Sequence, residues 1–417
     1  MKKDNQTELS LRQQKSETWT SQAIQEALLE RSKQAAFRLG VELLEQEVTA
    51  LCGAPFVRKG DELCYRGGSE KSSILLDGAR YPILRPRVRN EDGEVSLQTL
   101  SQLRDQDLFD DKIRERMMRG ATTRNYDGLV DSYAEKLSTS KSTVSRAFKR
   151  ASQKDLDDIN TGDLKAESFV ALIIDGICFS GKTVIAAVGV TWDFRKVPIG
   201  IREGDTENSE VVRDLLSSLI ERGFTLHCER LLAVIDGGKA LKRGLKDVFG
   251  ERIVIQRCYL HKYRNLLGYA PKQYHRQIHW RMKKMMGLVS FDEALKELLS
   301  FTEWLSSISH EAHSSIEEVG EELLTVHKLG LTKDQRRSLS STNVIESIFG
   351  GVRRRTNRVN NWKRDTTQIT RWLASSIKAQ HTRLKRISGA KDADVLINAL
   401  GRRLDQNVQK EYKVAAS

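Results

Sequence analysis

The 417-residue sequence predicts an α/β protein: a core ordered β-β-β-α-β-α-β-α with an all-helical insertion, preceded by a mainly helical N-terminal region. Three observations predict it. Apolar runs of strand length recur between residues 169 and 258, the later ones alternating with amphipathic helical segments. Two of these runs end in Ile-Asp-Gly, at Asp175 and Asp236. A charged stretch of helical periodicity then separates them from an apolar helix carrying Glu346. Hydrophobic content of 39% with 30% charged residues fits a globular chain. No apolar run approaches the roughly 18–20 residues of a membrane span, and the start "MKKDNQTELS" lacks the apolar stretch of a signal peptide. Five scattered cysteines suit free thiols in a reducing compartment. The formal charge of +13 favours a polyanionic partner, a solvated basic surface being the plainer alternative.

Residues 21–51 place Ile24, Leu28, Ala35, Leu39, Leu43 and Leu44 at helical spacing, in one long helix or two shorter ones. In residues 72–89, Asp77-Gly78 between apolar runs marks a hairpin. Its Arg80, Arg85, Arg87 and Arg89 either touch phosphate or form a charged strand edge. Residues 124–152 read as a helix-turn-helix. Leu129, Val130, Tyr133 and Leu137 form the apolar face of the first helix, and Ser140 caps a second with Val144, Ala147 and Phe148 turned inward. That leaves Lys141, Ser142, Ser145, Arg146, Lys149 and Arg150 outside, the composition of a DNA recognition helix or of a merely basic helix face.

Strands are expected at 169–176, 182–193 and 196–204 as an antiparallel meander, then a helix at 207–223. A fourth strand ends in Asp236; a helix, a fifth strand "RIVIQRC" and another helix from Tyr259 follow. This is the element order of an RNase H-like domain, with its later strands buried on both faces. Residues 264–335, with Trp280 and Trp304, read as an all-helical block.

In that order the first and fourth strands are parallel neighbours. Asp175 and Asp236, each closing its strand before a glycine, then emerge at one sheet edge. Two carboxylates about 4 Å apart repel by roughly 4 kcal/mol at an effective dielectric near 20, and a divalent cation relieves this. Hard oxygen ligands suit Mg²⁺ or Mn²⁺. Glu346, with Val344, Ile345 and Ile348 to anchor its helix, is a third acid able to complete a two-ion site for phosphoryl transfer. Arg353, Arg354, Arg355 and Arg358 follow, then Trp362, Lys363 and Arg364. From Arg353 to Arg386 there are eleven Lys or Arg against one acid, Asp365, with Trp362 and Trp372 interleaved, which suits a nucleic-acid backbone. A lone Ile-Asp-Gly at a strand end is ordinarily a turn; two of them plus Glu346 argue for a site.

The stretches "ALIIDGICFSGKTVIAAVGVTWDFRKVPIGIREGDTENSEVVRDLL", "LAVIDGGKAL", "QRCYLHKYRNL" and "STNVIESIFGGVRRRTNRVNNW" resemble the Mutator-like transposases of bacterial insertion sequences, over about residues 72–386. The resemblance implies a DDE triad at Asp175, Asp236 and Glu346, as catalytic residues and ligands of Mg²⁺ or Mn²⁺, two ions in all. It also implies a Cys-x-x-His pair, matched by Cys258 and His261. By itself that pair is half a zinc site, which His227 and Cys228 would complete; a structural role is the preferred reading. The implied activity is strand cleavage and strand transfer on double-stranded DNA, at terminal inverted repeats and a target. It would be carried out by a homo-oligomer, dimer or higher, in the cytoplasm on the nucleoid and away from membranes. The rival class is a catalytically silent DNA-binding or regulatory relative. The expected organisation is an N-terminal helical region (1–60), a small β-hairpin region (61–110) and a helix-turn-helix DNA-binding domain (111–165). A catalytic domain (166–265 and 336–386) interrupted by the helical insertion (266–335) and a C-terminal tail (387–417) complete it.

Overall fold

The computed structural model describes residues 21–56, 64–76, 79–123, 140–179, 181–204, 208–359, 362, 366–381 and 386–401. The chain forms two units, residues 1–151 and 152–417. In the first, α1 (Ser21–Cys52) is a single long helix that buries Leu44, Val48 and Cys52 and leaves Leu28, Leu39 and Leu43 exposed. The hairpin is longer than expected: β1 (Tyr65–Leu76) and β2 (Ala79–Asn90) pair antiparallel, and β3 (Gly93–Val95) adds a third strand. The turn residues Asp77 and Gly78 lie outside the described residues. Arg85 meets Glu70 at 3.0 Å and Glu94 at 2.8 Å, and Arg87 meets Glu94 at 2.7 Å. Acids beside these two arginines on the sheet thus pair with them, as on a charged strand edge.

Next come α2 (Gln98–Leu103) and α3 (Gln106–Arg119). Glu47 of α1 accepts the Gln98 and Thr99 amides at 2.6 and 2.9 Å, an anion at the start of α2. The first helix of the expected helix-turn-helix, with Leu129, Val130, Tyr133 and Leu137, lies outside the described residues. The second is α4 (Lys141–Thr161), whose start is capped by Ser140 Oγ accepting the Thr143 amide at 3.2 Å. Its 21 residues exceed a short recognition helix. Beyond the expected segment, Leu156 and Ile159 continue the apolar face into the core of the second unit.

The second unit is built on a six-stranded sheet of β4 (Ser168–Phe179), β5 (Lys182–Thr191), β6 (Lys196–Glu203), β7 (Thr225–Leu226), β8 (Leu231–Ile235) and β9 (Ile253–Arg257). The spatial order is β6-β5-β4-β8-β9, with the two-residue β7, not expected from the sequence, pairing the start of β4. β5 and β6 are antiparallel to their neighbours, as the meander requires, while β8 runs parallel to β4 and β9 parallel to β8. Along β4, Leu172 and Ile174 face a core shared with α5 (Ser209–Glu221) and α6 (Lys239–Phe249). Ile173, Ile177 and Phe179 face the opposite core, filled by Ile345, Phe349 and Val352 of α13 and by Leu373 and Ile377 of α14. Those helices span Asn343–Thr356 and Gln368–His381.

Between the two halves of the sheet unit lie α7 (Tyr259–Tyr269), α8 (His275–Gly287), α9 (Phe291–Ser306), α10 (His310–Val319), α11 (Thr325–Lys328) and α12 (Lys333–Leu339). The middle of this block closes a core of its own around Leu266, Ile278, Met282, Phe301 and Ile316. Residues 387–401 are not a free tail. Leu396 and Ile397 of α15 (Ala393–Ala399), with Leu400, are buried in the sheet core, because their spacing gives one apolar face to a short helix. Among the described residues no helix is long and apolar enough to cross a membrane.

Candidate active site

Side chains alternate along a strand, so residue parity decides which core a side chain meets. Asp175 shares parity with Ile173 and Ile177, and Asp236 with Leu232 and Val234. All four apolar residues belong to the core that α13 covers. The parallel register pairs Ile174 with Ile235, so the two aspartates occupy the next positions on adjacent strands. Glu346 lies in the first turn of α13, the helix packed on that face. Ile345 and Ile348 anchor it fully and Val344 partly, as expected. Parity, register and one helix thus put all three acids on the same side of the sheet, close enough for the charges of Asp236 and Glu346 to act on Asp175.

One expectation needs correcting. Asp175 does not close its strand: β4 continues to Phe179, held by β5 in a hairpin that pairs Phe179 with Lys182. It is β8 that stops at Ile235, so Asp175 stands where its parallel neighbour ends. After Asp236, Gly237 adopts φ +123°, and a Cβ there would lie 2.1 Å from Arg257 Nη2. Glycine therefore serves both the backbone conformation and the close approach. Gly238 then donates its amide to Asp236 Oδ1 at 3.1 Å.

The electrostatics of the cluster are uneven. Asp175 is 1% exposed, and its Oδ1 is a buried acceptor without a hydrogen-bond partner among the described residues. Burial pushes its carboxyl up to about 6; the Asp236 and Glu346 charges add to this, and His261 and the Thr342 hydroxyl oppose it. His261 Nε2 lies 4.0 Å from Asp175 Oδ1, and its Nδ1 lies 3.4 Å from Thr342 Oγ1. Hydrogen bonding to Cys258 raises the imidazole to about 9, burial working against it and the Asp175 charge for it. Cys258 is buried; burial alone would raise its thiol, but hydrogen bonds from His261 and Thr342 together hold it below its ordinary value. Glu346 is held below the usual carboxylate range first by its hydrogen bonds to Arg264.

Backbone hydrogen bonds lock these pieces. Cys258 donates its amide to Ile235 O at 2.7 Å, tying the start of α7 to the end of β8. Tyr259 donates to Ser340 O at 2.8 Å, and Thr342 donates to Cys258 Sγ at 3.3 Å, tying α7 to the segment before Glu346. Asp175, His261 and Glu346 each offer a ligand atom within 4.8 Å of one another, a grouping that could hold a metal ion.

Of the Cys258–His261 pair, His261 stands beside Asp175, while the buried Cys258 ties α7 to the segment before Glu346. The residues expected to complete a zinc site are engaged elsewhere: Cys228 Sγ lies 3.6 Å from Ile397 O, while His227 Nδ1 is 3.0 Å from Ser168 Oγ and its ring stacks on Trp192. Sequence reasoning missed Thr342 and Arg264. Both carried a signal, since Arg264 follows His261 by three and Thr342 precedes Glu346 by four, spacings that share a helix face.

The expected DNA-contact residues divide in the same way. On α4, Lys141, Ser142, Ser145, Arg146 and Lys149 are exposed while Val144, Ala147 and Phe148 are buried. On α13, Arg353 and Arg354 are exposed, but Arg355 is half-buried, donating to Gly351 O at 3.2 Å, and Arg358 is half-buried in the turn after the helix. Lys363 and Arg364 lie outside the described residues. The tryptophans are not open stacking platforms. Trp372 is buried, and Trp362 packs edge-on against Phe179 at 5.3 Å and Trp372 at 6.3 Å, because the sheet core recruits both large apolar rings. Trp362 still lines an open cleft of about 340 Å³ beside Arg353 and Asn357.

Comparison with known proteins adds a second line. A family model described as "Transposase, Mutator family" matches residues 1–386. A transposase for insertion sequence element ISRM5 of Rhizobium meliloti (strain 1021) is 24% identical over 332 residues, 76% of this chain and 79% of that protein. A transposase for insertion sequence element IS6120 of Mycolicibacterium smegmatis is 30% identical over 200 residues, 46% of this chain and 60% of that protein. A third, for insertion sequence element IST2 of Acidithiobacillus ferrooxidans, is 28% identical over 178 residues, 43% of this chain and 58% of that protein.

Proposed function

We propose, from the premise that this chain belongs to the Mutator family of transposases, that it is a DDE-type DNA transposase working through Asp175, Asp236 and Glu346 on an RNase H-like core. The observation that supports this reading is that Asp175, His261 and Glu346 bring ligand atoms within 4.8 Å of one another, with Asp236 following the end of the strand beside Asp175. The donor set fits Mg²⁺ or Mn²⁺. It consists of hard carboxylate oxygens, one of them the buried and unpartnered Asp175 Oδ1. Two such ions, when bound, activate the attacking oxygen and stabilise the leaving one.

The chain's own contribution is placement. Asp175, Asp236 and Glu346 would hold the cations, and no side chain bonds covalently to DNA. A water oxygen attacks the phosphodiester at an element end and a 3′-hydroxyl leaves; that hydroxyl then attacks a target phosphodiester at the same three acids, joining to its phosphorus and displacing the target strand's own 3′-hydroxyl. His261, carrying a proton below about pH 9, sets a positive charge beside Asp175 and offsets the crowding of acids. Arg353 and Arg354, exposed on the helix of Glu346, and the basic face of α4 supply phosphate contacts to terminal repeats and target on the nucleoid. Action as a homo-oligomer belongs to the same proposal.

The test is cleavage of end-labelled repeat DNA in Mg²⁺ by wild type and Asp236→Asn. Wild type is expected to give nicked and joined products, the variant to bind DNA but to cut it about 10²–10³-fold more slowly, the scale on which loss of one charge-stabilising group costs catalysis. If wild type binds but neither cuts nor joins, the silent DNA-binding relative is the correct reading. Hydrolysis without joined products would leave an RNase H-like nuclease.

A further inference from the structure

Arg264 has no part in the chemistry above, yet it holds the carboxylate that must receive a cation. It lies one turn after His261 on α7, and its guanidinium meets Glu346 in a two-pronged pair: Nη2 reaches Oε2 at 2.9 Å while Nη1 bonds Oε1. Both oxygens of the third acid are thereby engaged. The Arg264 side chain is 53% exposed and that of Glu346 27%, so the pair sits at the rim of the cluster and not inside the core. The guanidinium keeps its charge at every accessible pH, so it cannot leave by losing a proton. While Glu346 is ionised, a competing cation on the carboxylate or a competing anion on the guanidinium separates the two.

From this geometry, and resting on the metal-dependent reading above, we infer that Arg264 is a latch: it holds Glu346 while the site lacks a divalent ion, yields the carboxylate when the ion binds, and then takes a DNA backbone phosphate. Without a cation the three acids crowd one another, and Arg264 with His261 offsets that charge. A divalent ion reaching Glu346 meets a positive group already there, so Arg264 opposes ion binding. Once displaced, an exposed guanidinium on the first two turns of α7 stands beside the reacting phosphodiester, and its planar fork matches phosphate as it matches carboxylate. Ion loading and DNA engagement become linked through one side chain, which acts as a positioning residue.

The test uses the full chain and Mn²⁺ alone, followed by titration calorimetry, with wild type, Arg264→Gln, Arg264→Lys and Glu346→Gln. Arg264→Gln is expected to bind Mn²⁺ about fivefold to tenfold more tightly, the scale of one exposed pair plus repulsion of a divalent ion. Arg264→Lys, which keeps the charge without the fork, should fall between that variant and wild type, and it carries the test should Arg264→Gln fail to fold. Glu346→Gln should weaken binding. A merely structural ion pair predicts the opposite sign, because its loss would loosen the site. In the second arm, Mn²⁺ should strengthen binding of a short DNA duplex to wild type severalfold and to Arg264→Gln scarcely at all. Unchanged or weaker Mn²⁺ binding by both Arg264 variants overturns the latch while the ion site stands. An equal gain in DNA affinity for wild type and Arg264→Gln overturns the transfer to phosphate. Absence of Mn²⁺ binding in wild type and every variant removes both the latch and the metal-dependent reading beneath it.

Discussion

Asp175 carries the sharpest conflict of any single residue: a carboxylate 1% exposed, with one oxygen unpartnered and two further acids acting on it. Its folded value of about 6 lies above the ordinary 3.8, so the folded state binds more protons than the unfolded one between those limits. Stability contributed by the neutral form is therefore complete below about pH 4 and is lost as pH rises through about 6. In metal-free buffer Asp175→Asn should melt higher than wild type at pH 7.5, by about 1–3 kcal/mol of stability, and the gain should vanish near pH 4. Thermal melts with a chelator at the two pH values decide it, and a variant less stable than wild type at pH 7.5 would contradict this account. Asp236 could be singled out in the sequence because it follows the last residue of an apolar strand, whereas Asp175 lies inside β4, which runs on to Phe179. Thr342, His261 and Arg264 were harder to place at the cluster. Their contacts run between α7 and the start of α13, and spacing within either segment says nothing of what lies across the gap.

The β8–α6 turn is the element on which the site depends. Gly237 combines φ +123° with a Cβ position blocked by the guanidinium of Arg257. Arg257 cannot move aside freely, since it is 4% exposed and bonded to Glu318 Oε1 at 2.9 Å and Oε2 at 3.2 Å. Gly237→Ala should therefore cost about 2–4 kcal/mol, the sum of a strained backbone and an overfilled site, measured by urea denaturation. Loss of less than about 0.5 kcal/mol would show that Arg257 does not constrain the turn. Strands and helices of the sheet were readable to within a few residues because their apolar periods differ. The end of β4 was misread, since a hairpin partner and not local composition carries it to Phe179. β7 was invisible because two residues show no period. Residues 387–401 looked like a tail because a single short helix with three apolar residues stands out only against the core it fills.

For the whole molecule the formal charge of +13 sets the response to salt. DNA affinity should fall by about 10³-fold or more between 50 and 200 mM salt, and replacing Arg353 and Arg354 together by alanine should lower the logarithmic salt slope by roughly 2. Fluorescence anisotropy on a repeat-end duplex measures both, and an unchanged slope would remove the two arginines from the contact surface. The six-helix block from Tyr259 to Leu339 stands between the aspartates and Glu346 in the chain. Translation therefore delivers the third acid more than a hundred residues after the second. Any ribosome that halts before residue 346 releases a product that lacks both Glu346 and the arginine-rich stretch that begins at Arg353. Under the proposed mechanism such a fragment would want both an acid of the cluster and the most basic part of the chain, so incomplete synthesis would yield an inert product.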